Sequence, residues 1–288
     1  MSKKVAILFS GGLDSTYLMW KNLTDGNEVY PIYIEIENND KKTILEKNRI
    51  KLLWKEFNNE FHYNKPLNKS LLHDIQYVLK VSVSSNEDSL YFKQIPIWMF
   101  AMAFLQSLSI DEIQIGYVAN DDAISYLNEI KKIYWSYQTI CEPMKKLTFP
   151  LSKIRKVEMA AQLPKKYLDL IYSCEKPRII GSVDVEKIEY EPCCGCASCV
   201  HIIASNYYGL GNFPEIYKKG IQRQHAVALW SQGFRVLDKE GNDFQYMEKM
   251  DIKKQPYQLE LYFEGGYYDK VERENSEHLD LEKASYNG

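Results

Sequence analysis

Residues 10 to 16 read Ser-Gly-Gly-Leu-Asp-Ser-Thr. Adjacent glycines let a backbone approach an anion closely, and the N–H groups of a helix that starts just beyond them carry partial positive charge. The chemistry this points to is phosphate binding by Ser10, Gly11, Gly12, Asp14, Ser15 and Thr16. A Walker A loop needs a lysine directly after its last glycine, and none follows Gly12. The loop is therefore of another type. Asp14 and Ser15 also read as ordinary helix-capping residues.

A second reactive string is Cys193-Cys194-Gly195-Cys196-Ala197-Ser198-Cys199, with Cys174 upstream. Cys174, Cys193, Cys196 and Cys199 together offer four thiolates around a tight turn, the donor set of a closed tetrahedral zinc site. Four thiolates leave no open position, so such a zinc is structural. Cys194 lies between two ligands and points elsewhere, while Cys141 reads as a small buried hydrophobe. Ferredoxin-type iron–sulfur runs share this spacing but add a Cys-Pro that is missing here, and plain thiols are the remaining reading.

These residues need a scaffold. The apolar run Val5 to Phe9 before the glycines predicts a buried strand, and Leu18, Met19 and Leu23 have helical spacing in a helix from Tyr17 to Leu23. Residues 29–36 read as a second strand and 41–57 as an amphipathic helix; 68–90 are ambiguous. Ile95 to Leu108 reads as an apolar helix with Pro96 in its first turn, and residues 112–118 as another strand. Leu147 to Leu151 precedes a helix from Ser152, its N-cap, to Leu163, and a shorter one from Lys165 to Ile171. The alternation predicts an α/β fold, a doubly wound parallel sheet whose ligands bind beyond the carboxyl ends of its strands. That rule puts Gly116 to Asp122 on the same rim as Ser10 to Ser15 and makes Asn120, Asp121 and Asp122 site candidates, although an acidic triplet is also what a solvated turn looks like.

Beyond Cys199 the pattern changes. Two hairpins, 234–247 and 258–271, predict a small β-rich extension, and the stretch from Glu272 reads as a flexible tail. The expected domains are 1–172 for nucleotide binding, 173–205 for zinc, and 206–288 for the extension. At 288 residues with 45% hydrophobic and 26% charged residues, the composition is that of a soluble globular protein. A net charge of -3 and a pI near 6.0 disfavour nucleic acid as a partner. The start, Met-Ser-Lys-Lys, leads into a five-residue apolar run far shorter than a signal peptide core or membrane span, and the crowding of cysteines suits a reducing cytoplasm.

The Ser10 to Ser15 string resembles the SGGxDS signature of the PP-loop ATP pyrophosphatases, a HUP-like fold. Together with the C-x18-C-x2-C-x2-C cluster, it resembles the QueC family of 7-cyano-7-deazaguanine synthases over about residues 1 to 205. The resemblance implies ATP and Mg2+ as cofactors beside Zn2+, and adenylation of the carboxylate of 7-carboxy-7-deazaguanine. Amine transfer from ammonia would then give the amide, and a second ATP-dependent step the nitrile. Pro150-Leu151 and Lys156-Val157-Glu158 are similar to the family's Pro-Leu and Lys-Ala-Glu segment, which gives Lys156 a role in steadying phosphate or developing charge; otherwise it is a surface helix lysine. The expected catalytic set is Asp14, Lys156, Asp121 and Asp122.

Two segments depart from the family. Ile95-Pro96-Ile97-Trp98 stands where Pro-Gly-Arg-Asn is found, and Asp122 to Ile130 replaces Asp-x-Ser-Gly-Tyr-Pro-Asp-Cys-Arg, so both expected arginines are missing. With the added C-terminal region, these changes resemble divergent QueC-like proteins of antiphage defence operons, in which a protein amine from an operon partner accepts the deazaguanine. A homodimer is compatible with this reading. Two other readings remain open at this point. One is a tRNA-modifying or thiolating PP-loop enzyme with Cys141 or Cys194 carrying sulfur; the other is a non-catalytic PP-loop binding subunit.

Overall fold

The computed structural model describes residues 2–37, 39–62, 70–82, 91–119, 121–139, 145–184, 187–193, 196 and 198–199. The fold is carried by the compact unit Met1–Glu191. Five strands form its main sheet: β1 (Lys4–Leu8), β2 (Glu28–Glu37), β3 (Gln76–Ser82), β4 (Glu112–Gln114) and β5 (Lys146–Thr148). Their order is β3-β2-β1-β4-β5, with every pairing parallel. The order reverses at β1, and that switch point is where such sheets bind ligands.

Parallel pairing requires crossovers, supplied by α1 (Leu13–Thr24), α2 (Asp40–Phe61), α3 (Tyr91–Ala103) and α4 (Leu127–Gln138). Val5, Ala6 and Ile7 are completely buried, as a central strand covered on both faces demands. Ala6, Leu8, Ile34, Ile113 and Ile115 face Met99 and Met102 of α3 and Tyr134 of α4 in one apolar core. Asn39 caps α2 by accepting from the Lys42 N–H at 3.2 Å. Two short helices follow the sheet, α5 (Lys156–Gln162) and α6 (Lys165–Leu168), and then an antiparallel hairpin of β6 (Arg178–Asp184) and β7 (Lys187–Glu191).

The expected α/β class and parallel sheet are present. Several boundaries differ for local reasons. α1 starts at Leu13, not Tyr17, because Gly12 already occupies the N-cap position. β4 ends at Gln114 rather than Val118, since β5 pairs with it only through Thr148. The ambiguous stretch contains β3, whose Tyr77, Leu79 and Val81 pair with β2. The apolar helix begins at Tyr91, which places Pro96 inside it, and it tightens into a 3-10 turn at Phe104–Ser107. α5 begins after Arg155, not Ser152: the Glu158 carboxylate accepts from the Arg155 N–H at 2.7 Å and fixes the first turn there. α4 and the β6–β7 hairpin were not among the sequence-based expectations. Asn120, Cys141, Cys194 and the expected hairpins and tail beyond residue 200 lie outside the described residues. Among the described residues, no helix is long and apolar enough to cross a membrane.

A buried polar network ties the amino end of β4 to its surroundings. The Glu112 carboxylate accepts from Thr148 at 2.6 Å, Gln114 at 2.9 Å and Lys3 at 3.2 Å, and Asn22 donates to Gln114 at 2.8 Å. Burial pushes the Glu112 carboxyl up, but the hydrogen bonds from Thr148, Gln114 and Lys3 outweigh it and hold it below the ordinary glutamate value. A lowered carboxylate pKa adds stability above the unfolded value of 4.5, and that stability is lost as the pH falls through the folded one. Glu112→Gln is expected to cost about 1.5–3 kcal/mol at neutral pH, the scale of hydrogen bonds to a charged group. Urea unfolding between pH 7 and 3 should show a shallower acid loss for the variant than for the wild type.

Candidate nucleotide-binding site and cysteine cluster

The turn from β1 to α1 carries Ser10, Gly11 and Gly12. Gly11 has φ +74°, a left-handed conformation that favours glycine, and a Cβ there would stand 3.3 Å from Ile50 Cγ1. Gly11 O accepts from the Tyr172 N–H at 2.9 Å, and Thr16 N–H donates to Gly12 O at 3.0 Å. Since Gly12 has no side chain to cap α1, the first N–H groups of the helix point at the rim with no capping oxygen. The two serines pair with each other: Ser10 N–H donates to Ser15 Oγ at 3.3 Å, their Oγ atoms are 3.3 Å apart, and Ser15 Oγ donates to Gly12 O at 3.3 Å. This braces the loop in an open shape. Thr16 is fully buried, and its Oγ1 has no hydrogen-bond partner among the described residues.

Three of the four expected catalytic residues converge beside this loop. Lys156 Nζ, at the start of α5, donates to Asp14 Oδ2 at 3.0 Å and lies 3.7 Å from Asp121 Oδ1. Asp121 is held in turn by the Val118 N–H, which donates to its Oδ2 at 2.9 Å. Asp14 Oδ1 is buried with no hydrogen-bond partner among the described residues. Burial pushes the Asp14 carboxyl above the ordinary aspartate value; Lys156 opposes this and Asp121 reinforces it. Asp122 opens a 3-10 turn, Asp122–Tyr126, and its side chain lies outside the described set.

Sequence reading placed Gly116 on this rim but missed the contacts that surround the loop. Gly116, just past β4, permits the rim to close: a Cβ there would stand 3.3 Å from the backbone carbonyl carbon and oxygen of Asp14. Backbone atoms cannot swing away as a side chain would. Gly116→Ala is expected to lower stability by about 1–3 kcal/mol, as overpacking does, and to reduce nucleotide affinity. Gly181→Ala, where nothing lies within 4 Å of the added Cβ, is the matched control in thermal unfolding. Arg49 of α2 is also part of the frame. Its guanidinium donates to Ile188 O at 2.9 Å and sits 5.2 Å over the Tyr190 ring, while Tyr190 packs edge-on to Tyr172 at 5.3 Å. No spacing in the sequence marks the partners of Gly116 and Arg49, because they come from elements more than 100 residues away.

The Sγ atoms of Cys174, Cys193, Cys196 and Cys199 lie within 4.8 Å of one another. Cys193 and Cys199 are 4.0 Å apart, and Cys174 and Cys199 are buried. Zinc–sulfur bonds of about 2.3 Å in a tetrahedron place sulfurs roughly 3.8 Å apart. The cluster comes close to that spacing, so these four residues could hold a single metal ion.

Comparison with known proteins adds to this geometry. A family model described as queuosine biosynthesis protein QueC matches residues 4–204. No curated protein matches the chain. Among solved structures, the chain is similar to the U34-tRNA thiolase NcsA from Methanococcus maripaludis with its [4Fe-4S] cluster, at 20% identity and a TM-score of 0.35, covering 59% of this chain and 57% of that one. It is also similar to PH1313 from Pyrococcus horikoshii Ot3, at 15% identity and a TM-score of 0.29, covering 57% of this chain and 38% of that one. A third, a predicted subunit of tRNA methyltransferase from Methanocaldococcus jannaschii DSM, has 16% identity and a TM-score of 0.33, covering 75% of this chain and 91% of that one. The chain thus spans less than two thirds of the first two.

Proposed function

Because the chain belongs to the queuosine biosynthesis protein QueC family, we propose that it activates 7-carboxy-7-deazaguanine as an acyl adenylate and passes the acyl group to an amine. As a member of that family it is an ATP-using enzyme of the PP-loop type. What supports the finer reading is the convergence of Lys156, Asp14 and Asp121 at the uncapped start of α1.

The loop N–H groups and the partial charge of α1 bind the departing pyrophosphate. A carboxylate oxygen of the substrate attacks the α-phosphorus, the bond from that phosphorus to the bridging oxygen breaks, and pyrophosphate leaves with the electron pair. Lys156 stabilises the negative charge that develops on the non-bridging oxygens, and Asp14 and Asp121 orient its ammonium. The amine nitrogen then attacks the acyl carbon and gives up a proton to solvent, the bond from that carbon to the phosphate oxygen breaks, and AMP leaves with the electron pair. Asp14, with its unpartnered Oδ1, and Asp121 are the hard oxygen donors suited to Mg2+. When bound, Mg2+ would offset pyrophosphate charge. Cys174, Cys193, Cys196 and Cys199 would hold zinc as a structural ion.

The acceptor is ammonia in the family reaction. The missing arginines and the added C-terminal region favour a protein amine from an antiphage operon partner in the cytoplasm. The test is incubation with ATP, Mg2+ and 7-carboxy-7-deazaguanine, with ammonia or with candidate operon proteins. AMP and pyrophosphate release that depends on the acid is the expected result, with a mass increase on the acceptor protein. Free nitrile alone would remove the protein acceptor, and absence of pyrophosphate with any carboxydeazapurine would remove the adenylation itself.

A further inference from the structure

Lys156 serves the side of the loop that faces α1. The opposite side is bounded by α2 and residues 172–175. Arg49 Cβ and Ile50 Cγ1 stand 3.6 and 3.3 Å from the place of a Gly11 Cβ, and Tyr172 O stands 3.4 Å from that of a Gly12 Cβ. Since α2 connects the parallel strands β2 and β3, it runs against them, and its first turns rise past the loop toward the ligand rim. Glu46 and Lys42 precede Ile50 by one and two turns on the same face, a rise of about 6 and 12 Å.

At that height Lys42 Nζ donates to the Glu175 carboxylate and lies 3.9 Å from Glu46 Oε1. Tyr33 OH donates to Glu46 Oε2 at 3.2 Å. The Lys42 side chain is only 11% exposed. Ion pairs withdrawn from water in this way contribute little net stability, because desolvation offsets the attraction. A lysine placed so at a ligand rim is better explained by what it can bind. The glycine loop has no lysine of its own.

We propose that Lys42 is the second cationic contact of this site, held by Glu46 and Glu175 until an oxyanion takes over its ammonium. The oxyanion is an ATP phosphate oxygen or the carboxylate of the acid to be activated; the latter source rests on the adenylation reading above, and the former does not. Lys42 would then supply on α2 the positive charge that the two missing arginines leave absent.

The test measures binding by calorimetry to the full chain, with Mg·ATP in one arm and 7-carboxy-7-deazaguanine in the other. Lys42→Met should weaken the anion that Lys42 contacts by about 30-fold or more, the usual loss when one member of a buried charge pair is truncated. Lys42→Arg, which keeps the charge, should restore most of it. Glu46→Gln removes a competing carboxylate and should leave that affinity equal or tighter. A merely structural bridge would instead make Lys42→Met and Glu46→Gln behave alike, with lower melting temperatures and unchanged affinities. Unchanged affinity of folded Lys42→Met in both arms overturns the proposal, as does a wild type that binds neither anion. If ATP binding falls in Lys42→Met while no acid is ever activated, Lys42 stands and the adenylation reading fails. If acid-dependent pyrophosphate release at subsaturating ATP and acid is identical in wild type and Lys42→Met, the reverse holds.

Discussion

Lys156→Met is expected to lower acid-dependent pyrophosphate release about 10²–10³-fold, the scale of removing one preorganised donor from a developing oxyanion. The effect is large because Lys156 joins the phosphate loop to the β4 rim through Asp14 and Asp121. It also has a stability component, since a buried carboxylate stripped of its cation costs about 3–5 kcal/mol. The double variant Lys156→Met with Asp14→Asn should regain most of that stability and none of the activity. Thermal unfolding and pyrophosphate assays together separate the two effects.

Asp14 adds a pH signature. Its folded pKa is raised above 3.8 by burial, with Lys156 working against it. The folded state therefore holds a proton that the unfolded state has already lost, and stability contributed by this group declines as the pH rises from 3.8 through the folded value. Catalysis depends on the ionised partner of Lys156. The acid limb of the rate profile should accordingly lie above the ordinary aspartate range and disappear in Asp14→Asn. A limb at the same pH in that variant would assign it to another group.

The second large effect concerns the metal. Structural zinc contributes about 10–16 kcal/mol of apparent binding energy in small Cys-rich sites at neutral pH, and removing it commonly unfolds the residues that hold it. Purified protein is expected to contain one zinc per chain. Cys196→Ser or Cys199→Ser should abolish the zinc, lower the solubility of the chain and open residues 174–199 to proteolysis. Cys194→Ser should retain full zinc content. Plasma emission spectrometry decides the matter, and stoichiometric iron with acid-labile sulfide would replace zinc by a cluster.

How much of this was legible beforehand depended on whether the signal was local. The phosphate loop was, because Gly11 must adopt a positive φ and Gly12 must cap α1 without a side chain, and both demands are written in adjacent residues. The cysteine set was, because three of its four members fall within seven residues and only Cys174 is distant. Lys156 and Asp14 were each named, but their 3.0 Å contact joins residues 142 apart. β3 was hidden, since Gln76 and Lys80 interrupt its apolar pattern at one edge of the sheet.

By itself, then, the sequence determined the α/β class, the glycine turn between β1 and α1 and the set of clustered cysteines, since strand hydrophobicity, glycine freedom and cysteine spacing act over a few residues. Only the tertiary structure decided which charges face the glycine turn. The sheet order β3-β2-β1-β4-β5 brings α5 and the β4 rim to one side of Gly11 and α2 with residues 172–175 to the other. Lys156 and Lys42 acquire their places from that topology, because an ion pair has no periodicity and exists only where packing delivers both partners.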